Sequence, residues 1–74
     1  MAGVYMLAVN WPGVMQARAE GRRAWQSVER INVPEGCDVA DRLKHLDLSQ
    51  WMLYPFRTEK KRDALARETA EGVA

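Results

Sequence analysis

The sequence predicts a small α+β domain, a short sheet of two to four strands with two or three helices packed on it, with a mostly α arrangement as the alternative. Three observations predict it. The run Val4-Tyr5-Met6-Leu7-Ala8-Val9 is apolar and partly β-branched and stops at the turn signal Asn10-Trp11-Pro12-Gly13, which suits a short strand buried on both faces. Residues 50–56 set large apolar side chains alternately on two faces and contain Pro55, which cannot donate to a ladder, so they read as an edge strand. Asp38 and Thr58 each stand as a capping residue just before a stretch with helical composition.

Between the first turn and the next break at Val33-Pro34-Glu35-Gly36, residues 14–31 are the hardest to read. Val14, Ala17, Gly21, Ala24, Val28 and Ile31 recur at three- and four-residue steps, the spacing of one helix face. Gly21 costs a helix interior about 1 kcal/mol relative to Ala, and Glu20-Gly21 could instead close a hairpin. Such a hairpin sets Arg18 opposite Arg23, like charges facing each other, so a single helix is preferred. The small side chains Ala17, Gly21 and Ala24 would admit a second helix closely, either 38–46 of the same chain or a copy in a homodimer.

Asp38 caps a short helix whose apolar face is Val39, Leu43 and Leu46, with Asp41 placed favourably in its first turn. In residues 50–56, Trp51 and Leu53 point to one face and Met52, Tyr54 and Phe56 to the other; one face should meet the domain's own helices and the other a partner. Thr58 then caps a helix Glu59–Glu71 that stops at Gly72 and holds an i,i+4 pair, Asp63 with Arg67. Its one large apolar residue is Leu65, which predicts a helix lying lightly on the surface.

The 74 residues make a single domain, 1–74, whose core is marginal because a chain of this size buries only about 60% of its unfolded surface. Cys37 stands alone, so no internal disulfide supports it, and a free thiol suits a reducing, cytoplasmic setting. The first apolar run is far short of the ~20 residues of a membrane span and has no basic residue before it, so neither a signal peptide nor an anchor is expected. Residues 1–33, 34–48 and 49–74 carry +2, −2 and +1, a near cancellation that names no partner by bulk charge.

The chemistry-bearing residues divide into a few groups, each with an ordinary alternative. Cys37 and His45 are the one nucleophile-and-base pair, but eight residues of helix separate them by roughly 12 Å of rise and about 80° of rotation. Asp38, Asp41 and His45 share one helix face like a partial metal site, yet capping and the helix dipole account for all three. No phosphate loop or nucleophile motif occurs, so no enzyme activity, metal or cofactor is expected. Arg18, Arg22, Arg23 and Arg30 surround Trp25, and Arg57, Lys60, Lys61 and Arg62 lie near Tyr54 and Phe56. Each cluster is either a solvated helix face or a grip on phosphate or on an acidic protein patch.

The function expected is that of a small non-catalytic module that occupies the surface of another protein through Arg18, Arg22, Arg23, Trp25, Trp51, Tyr54 and Phe56. Small motif-poor chains include many phage and mobile-element proteins that inhibit host systems, anti-CRISPR proteins among them, and a role of that kind is the expectation. The alternative is a nucleic-acid binder using Arg18, Arg22, Arg23, Lys60 and Lys61.

Overall fold

Asn10 turns the first strand directly into a helix. Its side chain accepts the Gly13 N–H at 3.1 Å, and Pro12 sits in the first turn, where its missing N–H costs nothing. The computed structural model describes residues 3–72, in the order β1 (Val4–Val9), α1 (Trp11–Ala19), a 3-10 turn (Trp25–Ser27), β2 (Val28–Val33), α2 (Val39–Leu43), β3 (Met52–Phe56) and α3 (Glu59–Glu71). The strands form one antiparallel sheet in the order β2-β1-β3, with Val9 opposite both Val28 and Met52. The α+β expectation holds: a three-stranded sheet with three helices.

Residues 14–31 are neither one helix nor a hairpin. The helix ends at Ala19, because Gly21 takes a left-handed conformation with φ +72° and the chain closes back on itself. Arg22 N–H reaches Ala17 O at 2.8 Å and Gly21 N–H reaches Arg18 O at 3.1 Å, the paired bonds of a glycine-terminated helix. What continues the apolar spacing beyond Gly21 is Ala24 before the 3-10 turn, then the alternation of β2, where Val28 faces one side of the sheet and Ile31 and Val33 the other.

Successive side chains of β1 go to opposite faces, and both faces are covered. On the first, Leu7, Val9 and Val28 pack with Val14 and Ala17 of α1, with Ala24, and with Ala66 and Ala70 of α3, joined by Trp11, Tyr54 and Phe56. On the second, Met6, Ala8, Ile31 and Val33 pack with Leu43 of α2, with Leu46, Trp51 and Leu53 completing the cluster. Leu53 on one face of β3 and Tyr54 and Phe56 on the other thus find cover within the chain, while Met52 stays 54% exposed.

Two further expectations are corrected here. The last helix has the predicted bounds, with Thr58 accepting the Lys61 N–H and Gly72 left-handed at its end, but it is a core helix. Its buried face is made of small residues: Leu65 is 37% exposed, while Ala66, Ala70 and Thr69 are buried. The helix that approaches the small face of Ala17 and Ala24 is therefore α3 rather than 38–46. Ala24 N–H even donates to Ala70 O at 2.6 Å. That face is consumed inside the chain and no longer argues for a homodimer. In α2, Asp38 caps through Ala40 N–H as expected, but Val39 is exposed and Leu46 lies past the helix end.

Arg62 is the other surprise, since it belongs to no solvated cluster. It is 3% exposed. Its guanidinium donates to Asn32 Oδ1 at 2.9 Å, Asp63 Oδ1 at 2.7 Å, Glu59 Oε2 at 3.4 Å, and the carbonyls of Met6 and Ile31 at 3.4 and 3.3 Å, and it lies 5.6 Å from the Tyr5 ring. Asp63 thereby turns to Arg62, and at 4.0 Å to Arg30, instead of to Arg67. Truncating Arg62 to alanine should cost about 3 kcal/mol, the low end for breaking a buried pair, because Glu59 and Asp63 are exposed enough to rehydrate. Urea unfolding of Arg62→Ala measures this; an unchanged midpoint would show that the network contributes nothing.

Candidate functional site

The expected binding residues do not converge on one surface. Arg18, Arg22 and Arg23 border a shallow depression with Gly21, Glu71 and Gly72 at the C-terminal end of α3. Arg18 donates to Thr69 O at 3.3 Å and Arg22 pairs with Glu20 at 2.6 Å. The bond from Arg22, with a second from Gln16, holds the Glu20 carboxyl below its ordinary range. Lys60 and Lys61 lie in the first turn of α3, so the 13-residue helix separates the two basic groups by about 18 Å. They form no single patch. Trp25 stands apart, with the Arg30 guanidinium 5.8 Å from its ring centre. Phe56 packs into the first core cluster.

A different constellation does converge. The start of α1 supplies Trp11, Pro12, Gly13 and Gln16, and the segment leading into β3 supplies Leu48, Ser49, Gln50, Trp51 and Met52; with Asn10 they line one open groove. None of these ten residues carries a charge. Leu48 is 58% and Met52 54% exposed. Met15, 66% exposed, is four residues from Trp11 and so shares its face of α1, extending the apolar surface.

Local chemistry explains why these side chains stand where they do. The Tyr54 hydroxyl accepts from Trp11 Nε1 at 2.8 Å and donates to Met52 Sδ at 2.9 Å, so one phenol ties the indole of α1 to the thioether of β3. On the other side, the Asp47 carboxylate accepts Ser49 Oγ at 2.6 Å and Ser49 N–H at 3.0 Å, while Asp47 O accepts the N–H groups of Gln50 and Trp51. This closed turn leaves Leu48 outward and aims Trp51 inward. The Ser49 hydroxyl and then its N–H hold the Asp47 carboxyl below its ordinary value of 3.8.

Of the expected residues, Trp51 lines the groove and Tyr54 supports it from below. Trp11, Leu48, Met15 and Met52 complete it unforeseen. Trp11 reads in sequence as part of a turn signal, and nothing local announces that Leu48 stays outside.

The helix assumed to carry the remaining candidates is shorter than expected, since α2 runs only from Val39 to Leu43 and both Cys37 and His45 lie outside it. Cys37 is exposed with Arg42 Nη2 at 3.6 Å from its sulfur, and His45 bonds Glu29. Asp38 caps α2, and Asp41 pairs with Lys44 at 3.0 Å. Among the described residues no three His, Cys, Asp or Glu side chains come together as metal ligands.

Two measurements check the construction of the groove. Tyr54→Phe should cost about 1 kcal/mol for the half-buried indole bond and move the Trp11 indole N–H resonance; an unmoved resonance would refute the bond. For Asp47, whose folded pKa is depressed, the contribution to stability is present above 3.8 and lost as pH falls through the folded value. Ser49→Ala should therefore raise the Asp47 pKa toward 3.8 in a carboxyl NMR titration. No rise would mean that the Ser49 hydroxyl bond is not formed in solution, since the backbone N–H bond survives the substitution.

Comparison with known protein families, with curated proteins and with solved structures finds no match, so the functional reading rests on this geometry.

Proposed function

We propose that the protein is a non-catalytic binding module that docks on another protein through the groove between Trp11 and Trp51 and acts by occupying that partner's surface. The observation that supports this is the grouping of exposed Leu48, Met52 and Met15 around two partly buried tryptophans. Large apolar side chains gathered among uncharged polar ones, here Asn10, Gln16, Ser49 and Gln50, are a common composition of a protein contact, where tryptophan is among the enriched anchors. The lining also selects the occupant. A charged segment would lose hydration against residues that cannot neutralise it, so the partner presents an uncharged segment with a large apolar anchor.

In this reading the arginines named from the sequence are peripheral and steer approach, while the groove carries the affinity. Inhibition of a host system, as by small phage proteins, is the finer role such occupancy fits. No helix among the described residues is long and apolar enough to cross a membrane. The free thiol of Cys37 fits a reducing, cytoplasmic setting.

A photo-crosslinking side chain at Leu48, used in affinity capture, should yield one discrete protein in one-to-one ratio. Leu48→Glu with Met52→Glu should weaken that complex at least tenfold, since loss of a single interface anchor exceeds 1 kcal/mol, with the melting temperature unchanged. Capture that ignores both charges would end this reading. A mobility shift with DNA at low salt, abolished by Lys60→Glu and Lys61→Glu, would replace it with the nucleic-acid alternative.

A further inference from the structure

A second open groove, sharing no residue with the first, runs along β2. Glu29 to Asn32 form its floor, Arg42 and His45 stand on one side, and Glu59 and Asp63 of α3 on the other. Its floor is a strand edge. Asn10 N–H donates to Ser27 O at 2.8 Å, in register with the β1–β2 ladder, so by the antiparallel alternation the odd-numbered residues of β2 bond to β1 and the even-numbered ones face outward. Among the described residues, the N–H and C=O groups of Arg30 and Asn32 accordingly take no hydrogen bond. The opposite edge is blunted, because the same alternation turns Pro55 outward on β3, where it offers no N–H. An unbulged, proline-free edge beside a groove is a template for one more strand.

We propose that this strand is β2 of a second copy of the chain, paired antiparallel about a two-fold axis at Ile31 to give a continuous six-stranded sheet. The sequence of the strand selects both occupant and register. Outward residues must pair with outward residues. A two-fold at Arg30 sets Arg30 against Arg30, and one at Glu29 sets Glu29 against Glu29, both like-charge contacts. Centring on Asn32 brings Arg30 opposite Pro34 and shortens the ladder. At Ile31, isoleucine meets isoleucine, each Arg30 meets the second copy's Asn32 and each Glu29 meets the second copy's Val33. No like charges are apposed, and both Arg30–Asn32 pairs exchange their unused N–H and C=O groups. This interface is independent of the Trp11–Trp51 groove and does not use the Ala17 and Ala24 face, which is buried within the chain.

Sedimentation across a concentration series should carry the mass from 8.4 kDa to twice that value. Amide exchange at Arg30 and Asn32 should slow in step with it. Arg30→Pro should leave the fold intact, because the lost N–H faces outward and the lost contacts to Trp25 and Asp63 lie at the surface, and hold the chain at a single mass. Should that variant fail to fold, Asn32 decides. Asn32→Glu, which still accepts from Arg62 and faces the second copy's Arg30, should tighten the dimer, and an unchanged or weaker association in that variant overturns this register. A single-chain mass at high micromolar concentration overturns the proposal, as does a dimer that survives Arg30→Pro or is dissolved by Leu48→Glu with Met52→Glu instead.

Discussion

Met6, Leu7, Ala8 and Val9 are buried in succession, and because their side chains alternate, the middle strand needs cover on two faces at once. For a chain of 74 residues this is a demanding constraint, since so little material is left to supply it. The first face receives two helices of full length, α1 and α3. The second receives a five-residue helix, completed by Leu46 and Trp51 from the segment that follows. Uneven cover has a direct outcome at its margin: Trp51 packs inward while Leu48, three residues earlier in the same closed turn, stays in solvent.

The first face is filled largely by alanine. Ala17 of α1, Ala24 just ahead of the 3-10 turn, and Ala66 and Ala70 of α3 share one cluster, and Ala24 N–H donates to Ala70 O, but these side chains fill little volume. Toward its N-terminal end α3 therefore meets the sheet through a long side chain. Arg62 lays its guanidinium near the Tyr5 ring and satisfies it with two strand carbonyls, one amide oxygen and two carboxylates. Apolar substitution of such a network is often neutral for stability, so its more distinctive effect is geometric. By binding Met6 O, Ile31 O and Asn32 Oδ1 together, Arg62 fixes how α3 sits over β1 and β2 and keeps the neighbouring edge of β2 regular.

Elements marked by local chemistry were legible in the sequence. Thr58 and Gly72 bound α3, Asp38 caps α2, and Pro55 marks an edge strand, because each signal acts within a few residues of itself. Features set by tertiary contact were not. Gly21 reads as a weak point inside a helix until its left-handed backbone is seen to end one, and the alternation of β2 then imitates a helical spacing by coincidence. The burial of α3 escaped notice because alanine counts for little in a hydrophobic inventory, although it is what permits the closest approach. At the candidate site, Trp51 and Tyr54 were visible as large side chains on a strand. Trp11 was masked by its turn context, and the outward position of Leu48 follows from bonds to Asp47 that no spacing rule encodes.

Placement of the two open surfaces follows from strand order. With β1 in the middle, the edges β2 and β3 lie on opposite sides of it, two strand spacings or about 10 Å apart. The uncharged groove draws on the β3 side and the charged groove on the β2 side. A sheet continued through β2 therefore leaves Trp11, Leu48 and Met52 uncovered in each copy, and the two-fold presents two equivalent grooves. If two copies pair through β2 as proposed, a partner that repeats its apolar anchor would bind far more tightly than one groove allows, because the second engagement is intramolecular. A partner with one anchor would stay at single-groove affinity, so association through β2 would change selectivity without altering any residue of the groove.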